Sequence, residues 1–187
     1  MLRKISFSLL SVLLLTGCGG AAKVLPTATP TATHTPQAKF SIPSDCTKTG
    51  LNEALAKIVK GSKYIATQWQ PALGTELADV LNNGGLACSY GLQSAEIGAT
   101  ARWVEDKNMI FENRVNGWLK DGYSKVLLDG IDTDAAYFLL KKQSPTQEFH
   151  IWVLNFKYQG AWFSLSCTAF AQSLADGLPL AKAMIAS

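Results

Sequence analysis

Apolar and polar positions change their period several times along this chain, and each change marks an element. In "LNEALAKIVK", Leu51, Ala54, Leu55, Ile58 and Val59 recur at helical spacing, which predicts a helix over 51–60 with Thr49 as its cap. A short strand is expected over 63–69, ended by Pro71, and a short helix over Glu76–Leu81, ended by "NNGG". The period then falls to two. "LACSYGLQ" and "ATARWVE" read as strands joined by a turn around Glu96–Gly98. Helical spacing returns over 107–120, where Phe111, Val115, Trp118 and Leu119 share one face and Gly122 supplies the stop. "SKVLLDG" and "AAYFLLKK" predict two more strands, with the turn Asp129–Asp134 between them, before Pro145 interrupts. Two strong strands follow at 147–158 and 161–167, with Gln159-Gly160 as their hairpin turn. A helical stretch from Phe170 to Ile185, bent at Pro179, closes the chain.

The strand over 148–158 carries apolar residues on both faces: Trp152, Leu154 and Phe156 on one, Phe149, Ile151 and Val153 on the other. A strand covered on both sides explains that pattern. The expectation is an α+β fold, a mostly antiparallel sheet with helices packed on one face, forming a single small domain over 44–187.

The first residues follow a different rule. Arg3 and Lys4 precede an apolar run from Ile5 to Leu15, eleven residues long. That is short of the about 20 residues that span a bilayer, so residues 1–17 read as an export signal. The run stops at Leu15-Thr16-Gly17-Cys18, which resembles the lipobox of bacterial lipoproteins. That resemblance implies alkylation of the Cys18 thiol with diacylglycerol and cleavage before it, leaving a lipid-anchored, extracytoplasmic protein on the bacterial cell membrane. Residues 18–43 then alternate Thr, Ala and Pro, with Pro26, Pro30, Pro36 and Pro43. Each proline fixes its own φ and disfavours the helical region for its neighbour, so this stretch reads as an extended tether. His34 lies within the tether and receives no role.

Removing the signal changes the charge. The chain has 17 Lys+Arg against 14 Asp+Glu, a net charge of +3. Without Arg3 and Lys4 the balance is 15 against 14, or +1. No basic stripe remains to hold a nucleic-acid backbone, so nucleic acid is set aside as a partner. Lys141-Lys142 reads as a solvated strand end.

With Cys18 lipidated, Cys46, Cys88 and Cys167 remain in an oxidising compartment. Three cysteines permit one internal disulfide. Cys46–Cys88 is favoured, because it pins the first helix to the sheet; Cys88–Cys167, across neighbouring strands, is the alternative. The spare thiol reads as a small buried apolar group.

Candidate chemistry is sparse. A nucleophilic thiol or serine needs a base, and outside the tether the sole histidine is His150, in "EFHIWVLNF". No spacing of Cys and His matches a zinc site, and no glycine-rich motif matches a phosphate loop, so no catalytic residue, metal or cofactor is expected. Asp129, Asp132 and Asp134 invite calcium, but the twelfth position counted from Asp129 is Leu140 rather than a bidentate glutamate, which favours a solvated turn. The aromatic residues are the better lead. Trp103, Trp118, Trp152 and Trp162, with Tyr90, Tyr137 and Tyr158, either build a core or line a site for an apolar or sugar ligand. His150, Trp152, Tyr158 and Trp162 are the candidate ligand-binding set, and the 158–162 hairpin is where an exposed aromatic is expected.

Cys46 opening a helical segment, Cys88-Ser89-Tyr90 starting a strand, and "SCTAFAQSLADGLP" over 166–179 together resemble actinobacterial lipoproteins of the DUF3558 family. Ser44-Asp45 stands where that family has a proline step, and Tyr90 where it has tryptophan. Ala169 falls one position early for its closing Cys-x-x-Ala. The resemblance covers about 44–180 and implies an envelope lipoprotein with a disulfide; it supplies no catalytic residue. The functional expectation is a membrane-tethered binding or accessory module for an envelope lipid, glycan or protein partner. A structural, interaction-only protein is the alternative, and an envelope hydrolase a more distant one. Some 140 residues make one domain, too little for a two-lobed transport-binding protein.

Overall fold

The structure is a computed structural model that describes residues 39–142 and 150–187. The expected signal, Cys18, the tether up to residue 38, Pro145 and Phe149 lie outside the described residues. All described residues belong to one compact unit, Pro36–Ser187.

One antiparallel sheet organises that unit. Its strands are β1 (Lys63–Ile65), β2 (Leu86–Leu92), β3 (Ile97–Glu105), β4 (Ser124–Lys125), β5 (Ala135–Lys141), β6 (Ile151–Tyr158) and β7 (Ala161–Thr168). They lie in the order β1-β2-β3-β7-β6-β5-β4. The long β6–β7 hairpin inserts between β3 and β5. Gln159 and Gly160 turn it with φ of 48° and 74°, the left-handed pair that a tight hairpin requires. The helices are α1 (Leu51–Ile58), α2 (Glu76–Asn82), α3 (Ile110–Asp121) and α4 (Leu174–Ile185). The α+β fold is as expected, an antiparallel sheet with helices in a single small domain.

Period-two alternation sorts the sheet's side chains onto two faces. Ala99, Ala101 and Trp103 of β3, Phe163 and Leu165 of β7, and Trp152, Leu154 and Phe156 of β6 point to one face. There they meet Leu51 and Leu55 of α1 and Leu180, Ala181 and Met184 of α4. The other face carries Val104, Trp162 and Tyr137, packed against Val80 of α2 and Phe111 and Trp118 of α3. The expectation of helices on one face thus holds for α1 and α4, whereas α2 and α3 occupy part of the opposite face. Four of the second cluster's six buried residues are aromatic, and Trp118 lies edge-on to Phe111 at 5.0 Å and to Trp162 at 5.6 Å between ring centroids.

α4 presses close enough on β6 to dictate one residue. A Cβ on Gly177 would stand 2.2 Å from the Trp152 ring, so glycine is required there for helix–sheet contact. The helix begins at Leu174 rather than Phe170, because Ala169 turns the chain with φ of 69° and Ser173 and Asp176 form a capping box. Its span includes Pro179. α1 starts at Gly50 without a side-chain cap. Thr49 is buried instead, and its hydroxyl shares a 2.7 Å hydrogen bond with that of Tyr90. α3 ends at Gly122 as expected, φ 95°. Its predicted apolar face is narrower than four residues, because Val115 is half-buried and Leu119 is 50% exposed.

The Cys46–Cys88 disulfide is formed, tying the segment before α1 to β2, and Cys167 is a free, buried thiol. The folded unit also starts earlier than residue 44. The Phe40 N–H donates to the Gln159 carbonyl, its ring lies edge-on to Phe163 at 4.8 Å, and Lys39 pairs with Glu105.

Candidate functional site

The four aromatic and imidazole candidates do not converge. Trp152 is buried under α4, its indole N–H donating to the Ser173 carbonyl at 2.8 Å. Tyr158 lies on that same face, half-buried, 6.2 Å from the Phe163 ring. Trp162 points to the opposite face and is fully buried, so the hairpin does not present it to solvent. His150 is buried too, with its Nε2 hydrogen-bonded to the Ala171 carbonyl. These side chains hold elements together.

A different set gathers where α2 and α3 stop covering the sheet. Three rows of side chains cross that face, fixed by the strand register. The inner row is Ala87, Arg102, Ser164, Asn155 and Tyr137 on β2, β3, β7, β6 and β5. The middle row is Ile65, Ser89, Thr100, Ser166, Val153 and Leu139. The outer row holds Gly91, Gly98, Thr168, Ile151 and Lys141. Successive rows are about 6.6 Å apart along each strand.

Outside α2 and α3 the face is open. Ser89, Thr100, Ser166 and Val153 are half-exposed and Ile151 is 53% exposed. The second apolar face expected for β6 is therefore only partly covered. Small residues make the floor low. Gly91 and Gly98 face each other so closely that a Cβ on Gly91 would stand 2.2 Å from the Ile97 carbonyl oxygen. The result is a cleft of about 240 Å³ whose walls include Ile65, Ser89, Thr100, Thr168, Gln93 and Glu96. After β1, the half-buried Trp69 is pinned to β2 by a 2.8 Å bond from its indole N–H to the Ala87 carbonyl.

The inner row is where polarity becomes costly. Arg102 Nη1 donates to the Ser164 hydroxyl at 3.2 Å and lies 3.6 Å from Glu76 Oε2 at the start of α2. Burial pulls the Arg102 pKa down, with Glu76 opposing it. Glu76 in turn accepts from the Trp118 indole N–H. Burial also raises the nearby Tyr123 hydroxyl, reinforced by Glu76 and Asp121 and opposed by Arg102. Asn155 is fully buried, and its Oδ1 accepts from the Trp162 indole at 3.0 Å. Two donors of this row have no partner: Arg102 Nε and Asn155 Nδ2. Buried donors are ordinarily paired, and leaving one unpaired costs about 1–3 kcal/mol. Ser164, between Arg102 and Asn155, is buried as well.

Sequence reasoning missed this set. Its signal is the non-core half of each alternation: Thr100-x-Arg102 in "ATARW", Ser164-x-Ser166-x-Thr168 in "FSLSCT", and Asn155 inside the apolar run "WVLNF". No metal-ligand cluster occurs among the described residues, and no described helix is long and apolar enough to cross a membrane. Protein-family models, curated proteins and solved structures were all compared with this chain, and none matches it.

Proposed function

We propose that the protein is a lipid-anchored extracytoplasmic binding module that holds an envelope ligand on the half-covered face of its sheet. In this reading Cys18 carries the lipid, the Thr/Pro/Ala-rich segment keeps the domain off the bilayer, and the cleft against β2 and β3 faces the ligand. The DUF3558 resemblance enters through the envelope location it implies. The observation that carries the reading is an open cleft of about 240 Å³ against β2 and β3, whose lining includes the side chains of Ser89, Thr100, Thr168, Gln93 and Glu96. A structural face is normally finished with charged residues pointing to water, whereas a binding face keeps a few convergent polar groups on a concave surface.

The test is native mass spectrometry of the exported chain, purified from membranes in mild detergent. The expected spectrum shows a mature protein beginning at lipidated Cys18 and a further co-purifying mass that Thr100→Val reduces. An unmodified N-terminus overturns the anchor. A chain without any co-purifying mass, together with a crystal structure showing an empty cleft, overturns the binding role and leaves an interaction-only protein.

A further inference from the structure

We infer that two copies of this chain pair through the groove between α1 and α4, on the sheet face opposite the cleft. The two α1 helices run antiparallel across a two-fold axis, with each Glu53 facing Lys57 of the second copy. Ile58 of each copy enters the groove of the other. The inference goes beyond the ligand-binding reading and does not depend on it.

The groove follows from what the helices bury. α1 and α4 commit Leu51, Leu55, Leu180, Ala181 and Met184 to the main core, and the positions between these are left on the outer side. Many of those positions hold small residues. Gly50, Ala54, Ala183 and Pro179 line a groove of about 460 Å³ with Ile58. Toward the start of α1 the two helices lie close, since a Cβ on Gly50 would stand 3.7 Å from the Ala183 carbonyl oxygen. Toward the end of α1, Ile58 is 42% exposed. An apolar groove beside an exposed isoleucine is the kind of surface that another molecule covers.

Charge on α1 identifies that molecule. Glu53 and Lys57 also line the groove, one turn apart on the same helix. Neither belongs to an ion pair among the described residues. A second α1 laid antiparallel and centred on Leu55 brings position 53 opposite position 57, because both are equidistant from 55. Each carboxylate then meets an ammonium, and every contact is reciprocal, as a two-fold interface requires. Ala54 beside the crossing point lets the helices approach closely. An anionic lipid surface would call for a rim of positive charge, whereas this groove carries one charge of each sign. Ser89, Thr100 and Thr168 lie on the other face of the sheet, so pairing leaves both clefts open.

The test is sedimentation equilibrium of the exported Cys18→Ser chain from micromolar to millimolar protein, with an unfolding midpoint recorded for each variant. The chain is expected to pass from monomer to dimer across that range. Glu53→Lys and Lys57→Glu, both at exposed positions, should each raise the dissociation constant by about tenfold or more, because two attractive pairs become two like-charge pairs. A mixture of the two variants should pair at least as tightly as the unsubstituted chain, since every facing pair is again Lys against Glu. Ile58→Asp should weaken pairing with its unfolding midpoint unchanged. A monomer throughout the range overturns the inference. So does a dimer that neither charge reversal weakens, because its interface lies elsewhere. A mixture no tighter than either variant alone overturns the facing of Glu53 and Lys57. A monomer that carries a fatty-acid mass, lost in Ile58→Asp, assigns the groove to an acyl chain and overturns pairing. None of these outcomes bears on the cleft, which Thr100→Val and the co-purifying mass test separately.

Discussion

At the scale of single residues, the side chains that carry the most structural consequence are polar or sulfur-bearing groups enclosed by the two hydrophobic clusters. Cys167 is the sharpest case. It sits on β7 with its side chain buried, and burial raises its pKa well above the usual thiol range. The thiolate is the reactive form, so at neutral or mildly alkaline pH this cysteine is inert while the fold persists. In a Cys18→Ser chain, an aromatic disulfide reagent at pH 8 should therefore find no fast-reacting thiol under native conditions and one per chain in denaturant. A fast native reaction would place Cys167 at the surface and refute its burial. Reading the odd cysteine as a small apolar group required only the cysteine count; its enclosure required β7 to lie at the centre of the sheet.

Among elements, helix ends show how local chemistry and tertiary contact divide the work. α4 is set by its own sequence. Ser173 and Asp176 close a reciprocal capping box, and the Asp176 carboxylate also accepts from the Gln172 N–H at 2.8 Å. These backbone and side-chain hydrogen bonds favour the charged form and hold the Asp176 pKa below its ordinary 3.8. A depressed carboxylate pKa stabilises the fold above the unfolded-state value, and that contribution is lost as pH falls through the folded one. Asp176→Ala should accordingly cost about 1 kcal/mol or less at pH 7, the residue being largely solvent-exposed. The gap between wild type and variant should begin to narrow as pH falls below about 3.8 and be lost as it passes through the lower folded-state pKa. Denaturant titrations at pH 7 and in steps below pH 3.8 check both; a gap that does not narrow as pH falls would show that lost packing, not the charged cap, is responsible. α1 behaves differently. Thr49 has the right chemistry for a cap, yet its hydroxyl is taken by Tyr90 and by the Cys46 carbonyl. That partner lies 41 residues away, so no local pattern announces it.

For the whole molecule, what matters is how the amino-terminal segment is tied to the sheet. Phe40 and Ile42 pack against the main core, and the chain then reaches Cys46 and the bridge to Cys88. That bridge closes a separation of 42 residues. Removing the cross-link frees the unfolded chain, by about 4 kcal/mol in the loop-entropy account. A Cys46→Ala/Cys88→Ala chain should lose stability of that order in urea unfolding, and a loss below about 1 kcal/mol would show that α1 and its approach are held by packing alone. The same architecture creates the candidate site. Two helices on the second face cover the sheet from Val104 and Trp162 to Tyr137 and then stop. The uncovered remainder is where Thr100, Ser166 and Ser89 lie half-buried beside the buried Arg102–Ser164–Asn155 row.

The sequence alone determined the order of the helices and strands, the α+β class and the favoured disulfide, while β1 and β4 are shorter than the expected strands over 63–69 and "SKVLLDG". Periodicity, turn glycines and proline positions are local, and each is readable within about ten residues. It also set the expectation of a lipid-anchored envelope protein, which rests on the first eighteen residues. Tertiary structure decided which aromatics serve the core, why α1 has no threonine cap, and that helices cover both faces of the sheet. It alone assembled the candidate site, because Ser89, Thr100 and Thr168 come from three strands and meet through a register set by inter-strand hydrogen bonds. A strand's alternation shows that a residue leaves the core face. Which residues stand beside it, and whether a helix covers them, is a property of the assembled sheet.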